Sequence, residues 1–161
     1  DFSFKKNETV LQEGKVCNYL YYINKGMLSG HYHLQDHEVC NWLGIENDFA
    51  TSYYSFITRR PSPEIITSIE NTSVQAISFA KLHEIYHLFP ETERAGRLIL
   101  EEYYARLEER LISIQFKSAK ERYLTLLKNR PEIIQRAPLG RIASYLGMKQ
   151  ETLSRIRAEK E

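Results

Sequence analysis

The sequence changes its hydrophobic period once, at Phe89-Pro90, and this change constrains the fold more than any other feature. Before it, short apolar patches alternate with turn residues: Thr9 to Leu11 ahead of Gly14, Tyr19 to Ile23 ahead of Asn24-Lys25-Gly26, and Leu28 to Leu34 ahead of Gln35-Asp36. Val39 to Leu43, Ile65 to Ile69 and Val74 to Phe79 continue the series. A spacing near ten residues with Gly, Asn and Asp between patches predicts an antiparallel β-roll or sandwich over residues 1–90. Arg59 to Glu64 carries Pro61 and Pro63, cannot be a central strand, and predicts an exposed loop.

Beyond Pro90 the steps become four and three: Leu100, Tyr104, Leu107, Leu111 and Ile114 form the apolar seam of a coiled coil. Proline is tolerated in the first helical turn, and Glu91 and Glu93 suit the positive end of the helix dipole. A helix over residues 91–117 would be about 40 Å long, more than a small domain needs to cover its own core. The seam therefore predicts dimerisation with a second copy. Residues 118–161 then begin a new unit. Ser118-Ala119-Lys120-Glu121 fits a capping box ahead of Tyr123, Leu124, Leu126 and Leu127. Pro131 ends that helix, Pro138-Leu139 opens another, Gly147 breaks it, and a last helix runs from about Lys149.

The stretch from Leu139 to Ile156 has the joint spacing of a helix-turn-helix. Two short helices joined by a tight turn pack at a steep angle. Ala143 supplies the small residue where they touch, and Gly147 the positive φ of the turn. Ile142, Leu146, Leu153 and Ile156 pin the pair together. The second helix then presents Lys149, Gln150, Glu151, Thr152, Ser154 and Arg155 outward. Arg155 could bond guanine bidentately, Glu151 accept from cytosine, and Gln150 pair with adenine. Lys149, Thr152, Ser154 and Arg157 suit phosphate contacts.

Charge supports this. The chain of 161 residues has 22 basic and 21 acidic side chains, a net +1 that by itself argues against a polyanion partner. Ten basic and five acidic residues lie in 118–161, however, so this segment carries +5 and residues 1–117 carry −4. A basic tail beside an acidic remainder is the footprint of a DNA-binding module joined to something else. At 42% hydrophobic residues the chain can build cores, and no apolar run approaches the roughly 20 residues of a membrane helix. Cys17 and Cys40 are too few for a disulfide scaffold or a Cys-only metal site, and predict buried thiols in a reducing compartment, the cytoplasm.

An antiparallel roll, a long helix and a C-terminal helix-turn-helix, in that order, resemble the Crp/Fnr family of bacterial transcription regulators. Ser118-Ala-Lys-Glu-Arg-Tyr, Arg130-Pro131-Glu132, Ile142-Ala-Ser-Tyr-Leu-Gly and Glu151-Thr-Leu-Ser-Arg-Ile-Arg157 look especially like its Bacteroidetes branch, as do Asn47-Asp48-Phe49 and Pro61-Ser62-Pro63. The resemblance implies an α+β fold: a cyclic-nucleotide-binding-like β-roll, a dimerisation helix and a winged-helix-type DNA-binding unit. It also implies a homodimer on double-stranded DNA with RNA polymerase as a further partner. In the family the recognition helix carries Arg-Glu-x-x-x-Arg, and here Gln150, Glu151 and Arg155 stand in those places. Cyclic-AMP-binding members follow the Phe with Gly-Glu and carry a downstream Arg-Ala. Phe49 is followed instead by Ala50-Thr51, and Pro63-Glu64 falls near the expected Arg, so cyclic AMP is not expected and no other cofactor is assigned. Two cysteines cannot hold the four-cysteine iron–sulfur cluster of the family's oxygen sensors. Asp1 is not a methionine, and Glu161 leaves little room for a wing, so truncation at both ends is expected.

Two other readings compete. Gly26, His31-Tyr32-His33, Glu38 and Gly44 approximate the metal motif of cupin enzymes, since His at i and i+2 on a strand share a face. Both glycine intervals are one residue short and the second half of such a site is absent, so neither enzyme activity nor a metal is assigned. His83 and His87, four apart, fall near a helix. The other reading makes the roll a protein-interaction domain without a small ligand, which sequence does not separate from an effector-binding regulator.

Overall fold

The computed structural model describes residues 1–34 and 37–159. The expected turn at Gln35-Asp36 and the charges of Lys160 and Glu161 lie outside them. The first 78 residues form two four-stranded antiparallel sheets facing each other. One is ordered β1 (Phe2–Phe4), β8 (Thr72–Ser78), β3 (Tyr19–Lys25), β6 (Phe49–Ala50). The other is ordered β2 (Thr9–Leu11), β7 (Ile65–Ser68), β4 (Leu28–Leu34), β5 (His37–Gly44). Alternation along β3 turns Tyr21 and Ile23 inward against Leu28, Ile66 and Val74, which close the roll's core. The predicted roll is present.

Several elements were not legible. β1, β6 and the short helix α1 (Tyr53–Thr58) are added to the six expected strands. Helix α2 (Phe79–Leu88) takes over where β8 ends, with Ser78 as its side-chain N-cap. It contains His83, whose Nδ1 lies 2.9 Å from the Phe79 carbonyl and whose ring stacks on Phe79. The segment predicted as an exposed loop is half buried: Pro61 and Pro63 face outward, while Ser62 and Glu64 turn into the roll.

Helix α3 (Glu91–Phe116) has the predicted length and start. Its capping box follows: Ser118 Oγ accepts from the Glu121 amide at 3.3 Å, and Glu121 Oε2 accepts from the Ser118 amide at 2.8 Å. α4 (Ala119–Asn129) stops before Pro131, as expected, but Pro131 also opens a helix, α5 (Pro131–Arg136). Proline lacks the N–H that is unsatisfied in a first turn anyway, so it starts helices as readily as it stops them. α6 (Leu139–Tyr145) and α7 (Gln150–Ala158) complete the chain.

The C-terminal helices do not hang free of the roll. Met27, Cys40, Leu43 and Ile69 share one buried cluster with Tyr123, Leu126, Ile133, Ile142, Leu146, Leu153 and Ile156. The face of β5 turned away from the roll's own core is what α6 covers. Both thiols are buried, as expected, and burial pushes Cys40 up to about 11.

Candidate nucleic-acid interface

The turn between α6 and α7 is built by a glycine-terminated helix cap. The Met148 amide donates to the Ala143 carbonyl and the Gly147 amide to the Ser144 carbonyl, both at 3.0 Å. This pair of bonds is the Schellman motif, which requires a left-handed residue after the cap; Gly147 has φ of 63°. Lys149 is the extended residue that caps α7. Ala143, Ile142, Leu146, Leu153 and Ile156 are all buried between the helices, in the roles read from their spacing.

With Leu153 and Ile156 inside, α7 exposes Lys149, Gln150, Glu151, Ser154, Arg155 and Arg157; Thr152 is partly covered. Among the described residues, Lys149, Arg155, Arg157 and Lys128 enter no ion pair. The cations of α7 are thus available to an external anion. Glu159, at the helix end, is taken by Lys120 at 2.8 Å, which holds its carboxyl below the usual range.

Other basic residues counted toward +5 are used internally. Arg130 pairs with Asp48, Arg136 with Glu46 and Glu70, and Arg141 with Glu38. All four acids belong to the roll segment. The charge split read from sequence therefore has a second consequence: opposite signs also dock the two halves. Sequence reasoning missed this because alternating-sign residues far apart in the chain reveal no pairing. Arg110 adds an uncharged contact set, donating to the Cys40 and Tyr145 carbonyls at 3.2 Å each while lying 5.0 Å from the Tyr145 ring centroid. Ser144 Oγ accepts from the Cys40 amide at 2.8 Å.

On α3, Tyr103 stacks on Tyr53 at 4.0 Å between centroids, and Arg106 pairs with Asp48 at 3.1 Å. The neighbouring seam is left uncovered: Leu100 is 45% exposed, Tyr104 64%, Leu107 44% and Leu111 56%. Ile114 differs, being partly buried against Gly147 of the turn.

The histidine cluster is also assembled. Donor atoms of His31, His33 and Glu38 lie within 4.8 Å of one another. Burial, then the nearby Arg141 cation, hold His31 neutral, lowered to about 4. Within the roll, Glu64 accepts from the Trp42 indole at 3.0 Å, and burial raises its carboxyl. Among the described residues no helix is long and apolar enough to cross a membrane.

Similar solved structures cover nearly the whole chain. FixK2 from Bradyrhizobium japonicum has a TM-score of 0.84 and 20% identity over 98% of this chain and 82% of its own. The c-di-GMP-responsive global regulator CLP of Xanthomonas campestris has a TM-score of 0.75 and 19% identity over 98% and 84%. A CRP/FNR-family transcriptional regulator from Thermus thermophilus has a TM-score of 0.73 and 13% identity, again over 98% and 84%. The chain therefore has the Crp/Fnr fold, with antiparallel sheets first and helices after. No protein-family model matches the sequence, and no curated protein does.

Proposed function

We propose that the chain is a sequence-specific DNA-binding transcription regulator of the Crp/Fnr family, Bacteroidetes branch, acting as a homodimer in the cytoplasm. Its working parts are a β-roll over 1–90, a dimerisation helix over 91–117 and a DNA-binding unit over 118–161. The observation that carries this reading is the exposed set of cations on α7, without an ion pair among the described residues, set on a turn of the required geometry. Arg155 and Glu151 would read base edges, with Gln150 beside them, while Lys149, Thr152, Ser154 and Arg157 would hold phosphates. Two such helices in a dimer would enter successive major grooves about 34 Å apart on a near-palindromic site.

The uncovered stripe of Leu100, Tyr104, Leu107 and Leu111 supports the dimer, because exposed leucines at heptad spacing gain by meeting a copy of themselves. A buried Glu64 near the place of a phosphate-binding arginine supports a roll that does not take cyclic AMP. The fold's likeness to transcription regulators supports a non-enzymatic role. RNA polymerase is the expected further partner. Selection of bound sequences from random DNA tests the proposal: enrichment of an inverted repeat with half-sites one helical turn apart is expected, and no enrichment would refute sequence-specific binding.

A further inference from the structure

We propose that His31, His33 and Glu38 form a binding site for a divalent transition-metal ion of the zinc class. On β4, residues 31 and 33 share a face, and the β4–β5 register sets His33 directly opposite Glu38. Asn41 bulges out of β5 between the pairs Gly30–Trp42 and His31–Cys40, and from there the register runs regularly to His33–Glu38, which leaves both imidazoles on the face of that carboxylate. His31 Nε2 lies 3.5 Å, and His33 Nε2 3.6 Å, from the same Glu38 Oε1. Two ring nitrogens and one carboxylate oxygen thus converge on a small triangle.

Two further observations separate this from an ordinary surface pair. His31 is 2% exposed, and the nitrogen it turns toward Glu38 is Nε2, the same nitrogen that His33 presents. Burial fixes that ring in place, so its Nε2 is held ready to ligate and pays little ordering cost on doing so. Glu38, moreover, is divided between two tasks: Oε1 faces the histidines, while Arg141 of α6 holds Oε2 at 2.7 Å. An outer partner that orients a carboxylate without occupying its ligating oxygen is the arrangement seen behind metal ligands. The donor set selects the metal class. Imidazole with carboxylate suits zinc, cobalt, nickel or ferrous iron, whereas magnesium and calcium favour oxygen alone. His33 and Glu38 are about half exposed, which gives the ion a route in and leaves room for water as a fourth ligand. The site lies where β5 meets α6, so a bound ion would stiffen the contact between the roll and the C-terminal helices.

The test uses tag-free full chain, stripped with chelator and dialysed, titrated with Zn²⁺ by calorimetry and with Co²⁺ by visible absorption. No DNA is present, so the outcome is independent of the DNA-binding proposal. One ion per chain is expected, with cobalt d–d bands. His33→Ala, at an exposed position that the fold does not need, should weaken binding at least about tenfold. Saturation at other than one ion per chain, absence of binding, or a His33→Ala affinity within tenfold of wild type would each overturn the site.

Discussion

The Arg136 guanidinium grips Glu46 with both terminal nitrogens, Nη1 on Oε2 at 2.8 Å and Nη2 on Oε1 at 2.9 Å, and extends to Glu70. A fork-on-fork pair of this kind holds orientation as well as charge, and here it joins α5 to the turn after β5. With Arg130–Asp48 and Arg141–Glu38 it docks the C-terminal helices on the roll.

A pH dependence follows from this pair. Arg136, assisted by the Gly26 amide, brings the Glu46 carboxyl down from 4.5 to about 2. A carboxyl lowered on folding contributes stability that is complete above its unfolded value and lost as pH falls toward its folded one. Denaturant unfolding should therefore show stability falling between about pH 5 and pH 2. Glu46→Gln should be less stable than wild type at pH 7, with the two converging in acid.

Glu64 should behave in the opposite sense. Burial raises its carboxyl, so the ionised form is penalised in the folded protein, and the penalty grows as pH rises through the raised value. Glu64→Gln keeps an acceptor for the Trp42 indole and removes that penalty. Its melting temperature should equal or exceed that of wild type at pH 8, and the advantage should vanish at pH 4.

Arg155 and Lys149 should fail differently. Arg155→Ala should cost about 1–3 kcal/mol and relax preference at one base pair in a binding-site selection. Lys149→Ala should weaken all DNA alike and reduce the salt slope of binding by about one unit. Unchanged base preference in the first variant would remove Arg155 from base reading.

The seam gives an assembly test. Leu107→Glu combined with Leu111→Glu places charge on two exposed positions, so the monomer should keep its circular dichroism spectrum. Sedimentation velocity should then show a monomer where the wild type shows a dimer.

The paired-helix spacing was legible because local requirements dictate it: Gly147 must adopt positive φ, Ala143 must be small, and Ile156 must reach back to Ile142. The strand pattern was legible for the same reason. β6 and α1 were not, being too short for any period to register, and Pro131 signals a stop in the sequence although it is also a start. Nor could composition say which of the ten C-terminal cations face outward.

By itself, then, the sequence determined the order of roll, long helix and short paired helices, along with the polar face of α7, since all of these rest on spacing within a few turns or strands. Only the tertiary structure decided that Arg130, Arg136 and Arg141 serve the roll's carboxylates rather than DNA, and that His31, His33 and Glu38 converge. Ion pairs and ligand clusters between distant segments depend on where strands and helices come to rest in space. Coulomb attraction has no period along the chain from which such a meeting could be read.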